Sequence, residues 1–323
     1  MTSKEIVQRA VHFQNPPRVP LLYFNEHLER SDVRFTQYKE ALSFPGRGTN
    51  KSEWGYEWEK IDNTMGQPKH SPLTSWDHWP DFVVPDPDAP GRFDHVPAFI
   101  AQNADKYLMG GVGDVTGFNV VTFIRGFTES MEDLYLERDN LEALIDAVLG
   151  FESGLIRQYG RFDLDAIRFG DDWGTQNSLL INPGLWREVF KPRFKAQFDL
   201  VHSLGMDVYW HCCGQIHDII PDLIEIGVDI LNLNQPDLFG VEQLGAEFAG
   251  QVAFNCPVDH QTVAINGSRD EILRYVDRLN RSLATPDGGF IGYLEEYSSV
   301  GMSAANFQAI LDAFEGLAGT REG

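Results

Sequence analysis

The sequence predicts an α/β protein, a single-domain (β/α)₈ barrel with a long N-terminal insertion. Three observations lead there. Short apolar runs near residues 19, 55, 107, 166, 207, 229, 251 and 289 are separated by segments of helical periodicity, which implies parallel strands covered by helices. Polar clusters follow those runs directly, at Asn25/Glu26, Asp171/Asp172, His211/Cys213, Asn234/Gln235, Cys256 and Glu295/Glu296, and in a (β/α)₈ barrel chemistry sits at the C-terminal strand ends. No glycine-rich phosphate fingerprint follows the first strand, and Gly111 to Gly117 has the wrong spacing for one, which argues against a doubly wound open sheet.

Each element has its own justification. Ser3 to His12 reads as a short amphipathic helix with Ile6, Val7, Ala10 and Val11 on one side, ended by Pro16-Pro17. Arg18 to Phe24 is the first strand. Residues 30–55 are polar and punctuated by glycine and proline, a connection without pattern. In Glu53 to Asp62, Trp54, Tyr56 and Trp58 alternate as in a second strand. Residues 63–95 are loop-like, and Trp76 and Trp79 within them predict a packed covering layer. Beyond Tyr107 the chain becomes regular. Tyr107–Val112 and Asp165–Gly170 read as strands, and Met131–Leu136 and Leu141–Tyr159 as helices. Asn182 caps a long helix with Pro183 at its first position, and Trp186, Val189, Phe190, Phe194, Phe198 and Val201 form its apolar face. Further helices are predicted around Ile219–Ile224, closed by Gly227, over Asp270–Leu283, and from the cap Ser303 to Leu317.

Composition narrows the function. The 323 residues are 42% hydrophobic, enough for a sizeable core, and 26 Lys and Arg stand against 48 Asp and Glu, a net charge of −22. Nucleic acid and anionic membrane are therefore poor partners, since phosphate binding needs clustered cations. The opening segment lacks the apolar core of a signal peptide, and no run approaches the roughly 18 apolar residues of a membrane span. Three cysteines, two of them adjacent, make no disulfide framework. A cytoplasmic enzyme with available thiols is the expectation.

The chemistry centres on Asp207-Val208-Tyr209-Trp210-His211-Cys212-Cys213-Gly214. Side chains alternate along a strand, so His211 and Cys213 share a face while Cys212 looks away. An imidazole and a thiolate two residues apart form half of a zinc site. The competing reading makes the cysteines buried hydrophobes and His211 a hydrogen-bonded core residue. Asp171 and Asp172 are adjacent carboxylates at a strand end, suited either to general acid work, one raising the other's pKa, or to helix capping. Among the aromatics, Tyr23, Phe24, Trp173, Trp210 and Tyr293 border the proposed mouth, although Trp210 should point away from His211.

Several stretches resemble the uroporphyrinogen decarboxylase superfamily and its cobalamin-linked methyltransferase branch. They are Glu53-Trp54-Gly55, Lys60-Ile61-Asp62-Asn63-Thr64-Met65-Gly66, Gly170-Asp171-Asp172-Trp173-Gly174-Thr175-Gln176, His211-Cys212-Cys213-Gly214, Gly227-Val228-Asp229-Ile230-Leu231-Asn232 and Gln235-Pro236. The resemblance implies a barrel with a deep cleft at its C-terminal face. The decarboxylases carry an arginine-rich segment after the first strand that binds porphyrin carboxylates. Tyr23-Phe24-Asn25-Glu26-His27 lacks it, and Asp171, Asp172 and Glu295 would repel a tetra-acidic porphyrin. The methyltransferase branch implies zinc held by His-x-Cys and a distant cysteine. His211 and Cys213 match the first part, but Tyr293-Leu294-Glu295-Glu296 stands where thiol-methylating members have the third ligand. Either Cys256 completes a rearranged site or Glu295 or Glu296 supplies an oxygen.

The resulting expectation is a methyltransferase of demethylase type. It would move methyl between a small methylated compound, such as an O-methyl ether, or a thiol or pterin acceptor, and a corrinoid protein. Cobalamin would come from that separate partner, because no Asp-x-His-x-x-Gly segment occurs in this sequence. Catalysis is assigned to Asp171, Asp172 and Glu295, substrate binding to Asn25, Glu26, Trp173, Asn234 and Tyr293, and zinc to His211, Cys213 and Cys256. A homodimer is compatible with the resemblance. The rival readings are a metal-independent decarboxylase acting on a small acid or tetrapyrrole-like substrate, and a barrel that only binds a ligand.

Overall fold

A computed structural model describes residues 1–24, 26–60 and 66–319. Asn25 and the Ile61–Met65 part of the second motif lie outside the described residues. Eight parallel strands form the barrel: β1 (Leu21–Tyr23), β2 (Val33–Gln37), β3 (Tyr107–Gly111), β4 (Ala166–Gly170), β5 (Asp207–Cys212), β6 (Ile230–Leu233), β7 (Ala253–Cys256) and β8 (Phe290–Leu294). Hydrogen-bonded neighbours run β1-β8-β7-β6-β5-β4-β3-β2. The expected single-domain (β/α)₈ barrel is therefore present. No helix among the described residues is long and apolar enough to cross a membrane.

The second strand corrects the sequence reading. Val33–Gln37, within the segment read as patternless, pairs in parallel with Tyr107–Gly111. Val33 and Phe35 pack with the barrel interior while Arg34 donates to the Leu28 carbonyl. Polar alternate residues hide this strand in a composition count. Glu57–Glu59, read as part of the second strand, instead pairs antiparallel with Gln67–Lys69 in a small separate hairpin. Pro68 sits in that hairpin, and a residue without an N–H does not suit an interior strand.

Closure of the barrel falls to Ser31 and Asp32. The Asp32 N–H donates to the Leu21 carbonyl at 2.8 Å, and its carboxylate accepts the Leu21 N–H at 2.9 Å. The Ser31 hydroxyl accepts the Tyr23 N–H and donates to the Val33 carbonyl. Arg18 grips the buried Asp32 carboxylate with two nitrogens, each at 2.6 Å, and Ser3 donates to it as well. One carboxylate thus ties the first helix, β1 and β2 together.

Two apolar layers follow from strand alternation. Inside the barrel are Leu22, Val33, Tyr107, Met109, Ala166, Tyr209, Ile230, Ala253, Ile291 and Tyr293, with Val7 and Val11 of the first helix against them. Outside, Ile167, Phe169, Val208, Trp210, Leu231, Leu233 and Phe254 meet the helices. The insertion covers the outer layer around a buried pair, Arg92 bonded to Glu53 at 2.6 and 3.0 Å, with Trp54 packed on Phe151. Trp76 and Trp79 pack as expected, and the Trp76 indole donates to Asp133.

Helix ends match their signals. Asn182 caps Pro183–Val189, accepting from Gly184 and Leu185. The predicted long helix is broken at Phe190 and resumes as Lys191–Ser203, with Pro192, which has no N–H to donate, in its first turn. Gly117–Arg125, a helix the sequence reading left out, starts against two buried carboxylates. Glu152 accepts the Gly117 N–H at 2.7 Å, and Asp171 accepts those of Phe118 and Asn119 at 3.1 and 3.0 Å. Burial raises Glu152 to about 7, against the opposing pull of its Gln197 and Gly117 hydrogen bonds.

Two predictions follow from this packing. Replacing Asp32 with Ala leaves Arg18 without its partner and opens the β1–β2 seam, and should cost about 3–5 kcal/mol. Denaturant unfolding with an unchanged slope checks it, and a loss within experimental error would show that the seam closes without Asp32. For Glu152, the folded pKa lies above the unfolded value, so the unfolded chain releases its proton first as pH rises. Stability therefore falls between pH ~4.5 and ~7, by on the order of 3–4 kcal/mol in all. Glu152→Gln should remove that slope and raise the melting temperature at pH 8 relative to wild type. Gln197 can turn its amide to suit, since its Oε1 is buried without a partner among the described residues. Parallel melting curves for the two proteins across this range would contradict the assignment.

Candidate metal and catalytic centre

At the C-terminal end of β5 the strand delivers His211 inward and then turns at Gly214. Gly214 has φ +78, and a side chain there would strike the backbone of Gly174. The Gly214 N–H donates to the Gln235 side chain at 2.8 Å, and the Gln215 N–H to the Thr175 carbonyl at 2.7 Å. The turn holds Cys213 beside His211, Sγ to Nε2 3.7 Å. Asp172, at the end of the neighbouring β4, brings Oδ1 to 3.8 Å from the same Nε2 and accepts the Cys213 N–H at 2.7 Å. Among the described residues, this is the one trio of histidine, cysteine and carboxylate donors close enough to share a metal ion, all within 4.8 Å of one another.

The geometry suits tetrahedral zinc. Bonds of about 2.0–2.1 Å to nitrogen and 2.3 Å to sulfur, at a tetrahedral angle, place the two donors about 3.6 Å apart. The same construction for nitrogen and oxygen gives about 3.4 Å. The pair separations of 3.7 and 3.8 Å need only small adjustments.

Hydrogen bonds define the imidazole. Asn232 Nδ2 donates to the Asn255 carbonyl at 2.6 Å, which turns Asn232 Oδ1 towards His211 Nδ1 at 2.5 Å. An oxygen there can only accept, so Nδ1 carries the proton and Nε2 presents its lone pair to the trio. Asn255 is held in turn by donation to the Ile291 carbonyl and by the Tyr209 hydroxyl. Burial depresses the His211 pKa, opposed by Asp172 and reinforced by Arg168, which keeps the ring neutral. Burial and the nearby Asp172 carboxylate push the Cys213 thiol well above its usual range.

The remaining predicted residues are distributed unequally. Asp171 is fully buried, its carboxylate taken by the Phe118 and Asn119 N–H groups and by the Trp173 indole at 2.9 Å. Burial raises its pKa well above the carboxylate range. Trp173 is buried too, stacked on Phe118 with centroids 5.1 Å apart. Cys256 is not brought to the trio. It follows Asn255, which takes the inward position, so Cys256 turns into the outer apolar cluster with Cys212. Burial raises its pKa to about 12. Asp172, which the sequence reading assigned to catalysis, is the third group beside His211 and Cys213.

Glu295 accepts from Tyr293 and Tyr297 at 2.8 and 2.9 Å, and Tyr297 stacks on His260 at 4.7 Å. Asn234 is half-buried, its Oδ1 without a partner among the described residues. Glu26 is exposed, and Asn25 lies outside the described residues. Sequence reasoning missed Asn119, Asn232, Asn255 and Arg168. Inward parity on their strands was the available signal for the last three. Nothing local marks Asn119, whose Oδ1 accepts the Asp172 N–H at 2.8 Å.

The chain is similar over its whole length to a solved methyltransferase from Methanosarcina mazei, at 14% identity and a TM-score of 0.70, covering 98% of this chain and 99% of that one. At that identity the likeness speaks for the fold. Xylanase 10B from Thermotoga maritima follows at 10% identity and a TM-score of 0.45, with 98% of each chain covered. No curated protein matches the sequence. The model of the family described as Uroporphyrinogen decarboxylase (URO-D) matches residues 65–316, a span that holds six of the eight barrel strands, β3 to β8, and reaches into the last helix. With six barrel strands, the strand-end donors Asp172, His211 and Cys213 and most of its length inside that match, the chain belongs to the uroporphyrinogen decarboxylase (URO-D) family.

Proposed function

We propose that this protein is a zinc-assisted methyltransferase that moves a methyl group between a small methylated compound or acceptor and a separate corrinoid protein. The observation that carries the proposal is the Asp172–His211–Cys213 trio at the barrel mouth, with donor spacings close to those of a tetrahedral ion. The full-length likeness to the Methanosarcina mazei methyltransferase supports it at the level of fold. Asp172, His211 and Cys213 would hold the ion, leaving a fourth position for substrate. Bound zinc supplies Lewis acidity, either lowering the pKa of an acceptor thiol or polarising the oxygen of a methyl ether.

The protein's own groups orient and exclude. Asn232 fixes the His211 tautomer, and Asn255 fixes Asn232. Asp172 is itself steadied by the Asn119 side chain on its N–H. Glu295, bridged to two tyrosine hydroxyls, is positioned as a second carboxylate able to take or give a proton at the substrate. Asp171 acts through the helix it caps, keeping Asn119 beside Asp172.

A second reading, a metal-independent decarboxylase, is favoured by the family description, and metal analysis separates the two. Purified protein should hold about one zinc per chain, the loading expected of three converging donors. Cys213→Ala and Asp172→Asn should each lose the metal with little change in melting temperature, while Cys212→Ala and Cys256→Ala should keep it. Methyl transfer to or from added corrinoid should disappear with the metal. Turnover that survives its complete removal would favour the decarboxylase, and metal loss in Cys256→Ala equal to that in Cys213→Ala would overturn the ligand set.

A further inference from the structure

Arg168 is a buried cation without an anion among the described residues. It lies on β4 in register with Tyr209 of β5, and Ala166 and Tyr209 belong to the barrel's inner cluster, so Arg168 points inward. It is 8% exposed, yet its guanidinium makes no hydrogen bond or ion pair with any described residue. Its guanidinium rests over Phe35 at 5.6 Å and Phe24 at 6.0 Å. Other buried arginines behave differently. Arg92 is clamped to Glu53 and Arg125 to Asp133 at 2.7 Å. In a chain with 48 carboxylates, an unpaired guanidinium inside the barrel is a conspicuous exception.

Arg168 is also the single Lys or Arg at an inward position on the eight barrel strands, since Arg34 turns outward. Its nitrogens are not fully sealed from solvent. Burying a cation without a partner is costly, and that cost is offset when an anion enters. Gly170 is the register partner of His211, which puts Arg168 two residues below the metal trio on the next strand. Strand geometry separates the two Cα atoms by about 8 Å, a gap that one aromatic ring can bridge. Phe24, Phe35 and Tyr293 provide the flat apolar wall beside it, with Phe24 stacked on Phe35 at 5.4 Å and Tyr293 at 5.8 Å from Phe24.

We infer that Arg168 anchors the carboxylate of the substrate, and that the substrate is a small aromatic acid whose reacting group lies at Asp172, His211 and Cys213. The inference rests on the proposed reading of the mouth as a reaction site, but it is tested by binding alone. A planar guanidinium fork matches a carboxylate edge to edge, and the aromatic wall selects a flat organic acid over a bare inorganic anion.

Calorimetric titration of the full chain with 4-methoxybenzoate and the neutral 4-methoxybenzamide provides the test. The acid should bind roughly tenfold to a hundredfold more tightly than the amide, the range of a charge-assisted hydrogen bond. Arg168→Met should lose that preference while its melting temperature stays the same or rises, because an unpaired buried charge has been removed. Arg168→Lys, which keeps the charge and loses the fork, should retain part of the preference and serves if the methionine variant does not fold. Cys213→Ala should still bind the acid, so failure of the metal reading would leave this one standing. Equal affinity for acid and amide in the wild type would overturn the inference. So would unchanged acid binding in Arg168→Met, or inorganic phosphate binding as tightly as the aromatic acid.

Discussion

The Asp32 carboxylate is the point on which the barrel closes. A sheet of eight parallel strands has two raw edges until its first and last members meet, and here β1 is only three residues long. Asp32 makes up for that shortness by accepting one β1 N–H with its side chain while its backbone bonds both Leu21 and Tyr107. Closure fixes the stagger between strands, and the stagger decides which residues reach the same height at the mouth. His211, Asn232 and Asn255 share one level only because β5, β6 and β7 are locked in register, His211 to Asn232 and Asn232 to Asn255.

Once the register is set, alternation sorts every side chain in or out. That rule gives two adjacent aspartates opposite surroundings. Asp171 is sealed against the start of a helix and acts as a cap. Asp172, one residue on, turns to the mouth beside His211 and Cys213. The same rule separates Cys213 from Cys212 and Asn255 from Cys256. The candidate metal site is built from neighbouring strand ends: the strands bring the donors, and Asn232, held by Asn255, orients His211.

Two polar groups near the proposed site lack partners among the described residues. Arg168 has no anion and Asn234 Oδ1 has no donor among the described residues, and both lie at inward positions of the barrel. Many cations elsewhere are ion-paired, from Arg18 with Asp32 to Arg187 and Lys191 with Asp222. Polar groups left open beside a proposed site are groups that a ligand can satisfy.

Much of this was legible in the sequence. Seven of the eight barrel strands stood out as apolar runs, because a strand buried on both faces has little room for polar residues. The His-x-Cys pair followed from strand alternation, and the Asn182-Pro183 helix start from capping chemistry. The second strand was not legible, since Val33–Gln37 alternates apolar and polar residues in the manner of a half-exposed segment. Nor was the third member of the trio. Choosing among Cys256, Glu295 and Asp172 requires knowing which face each strand end presents and how far one strand is shifted against the next. Those are properties of the closed barrel, set by hydrogen bonds between segments far apart in the chain, and no local pattern of residues carries them.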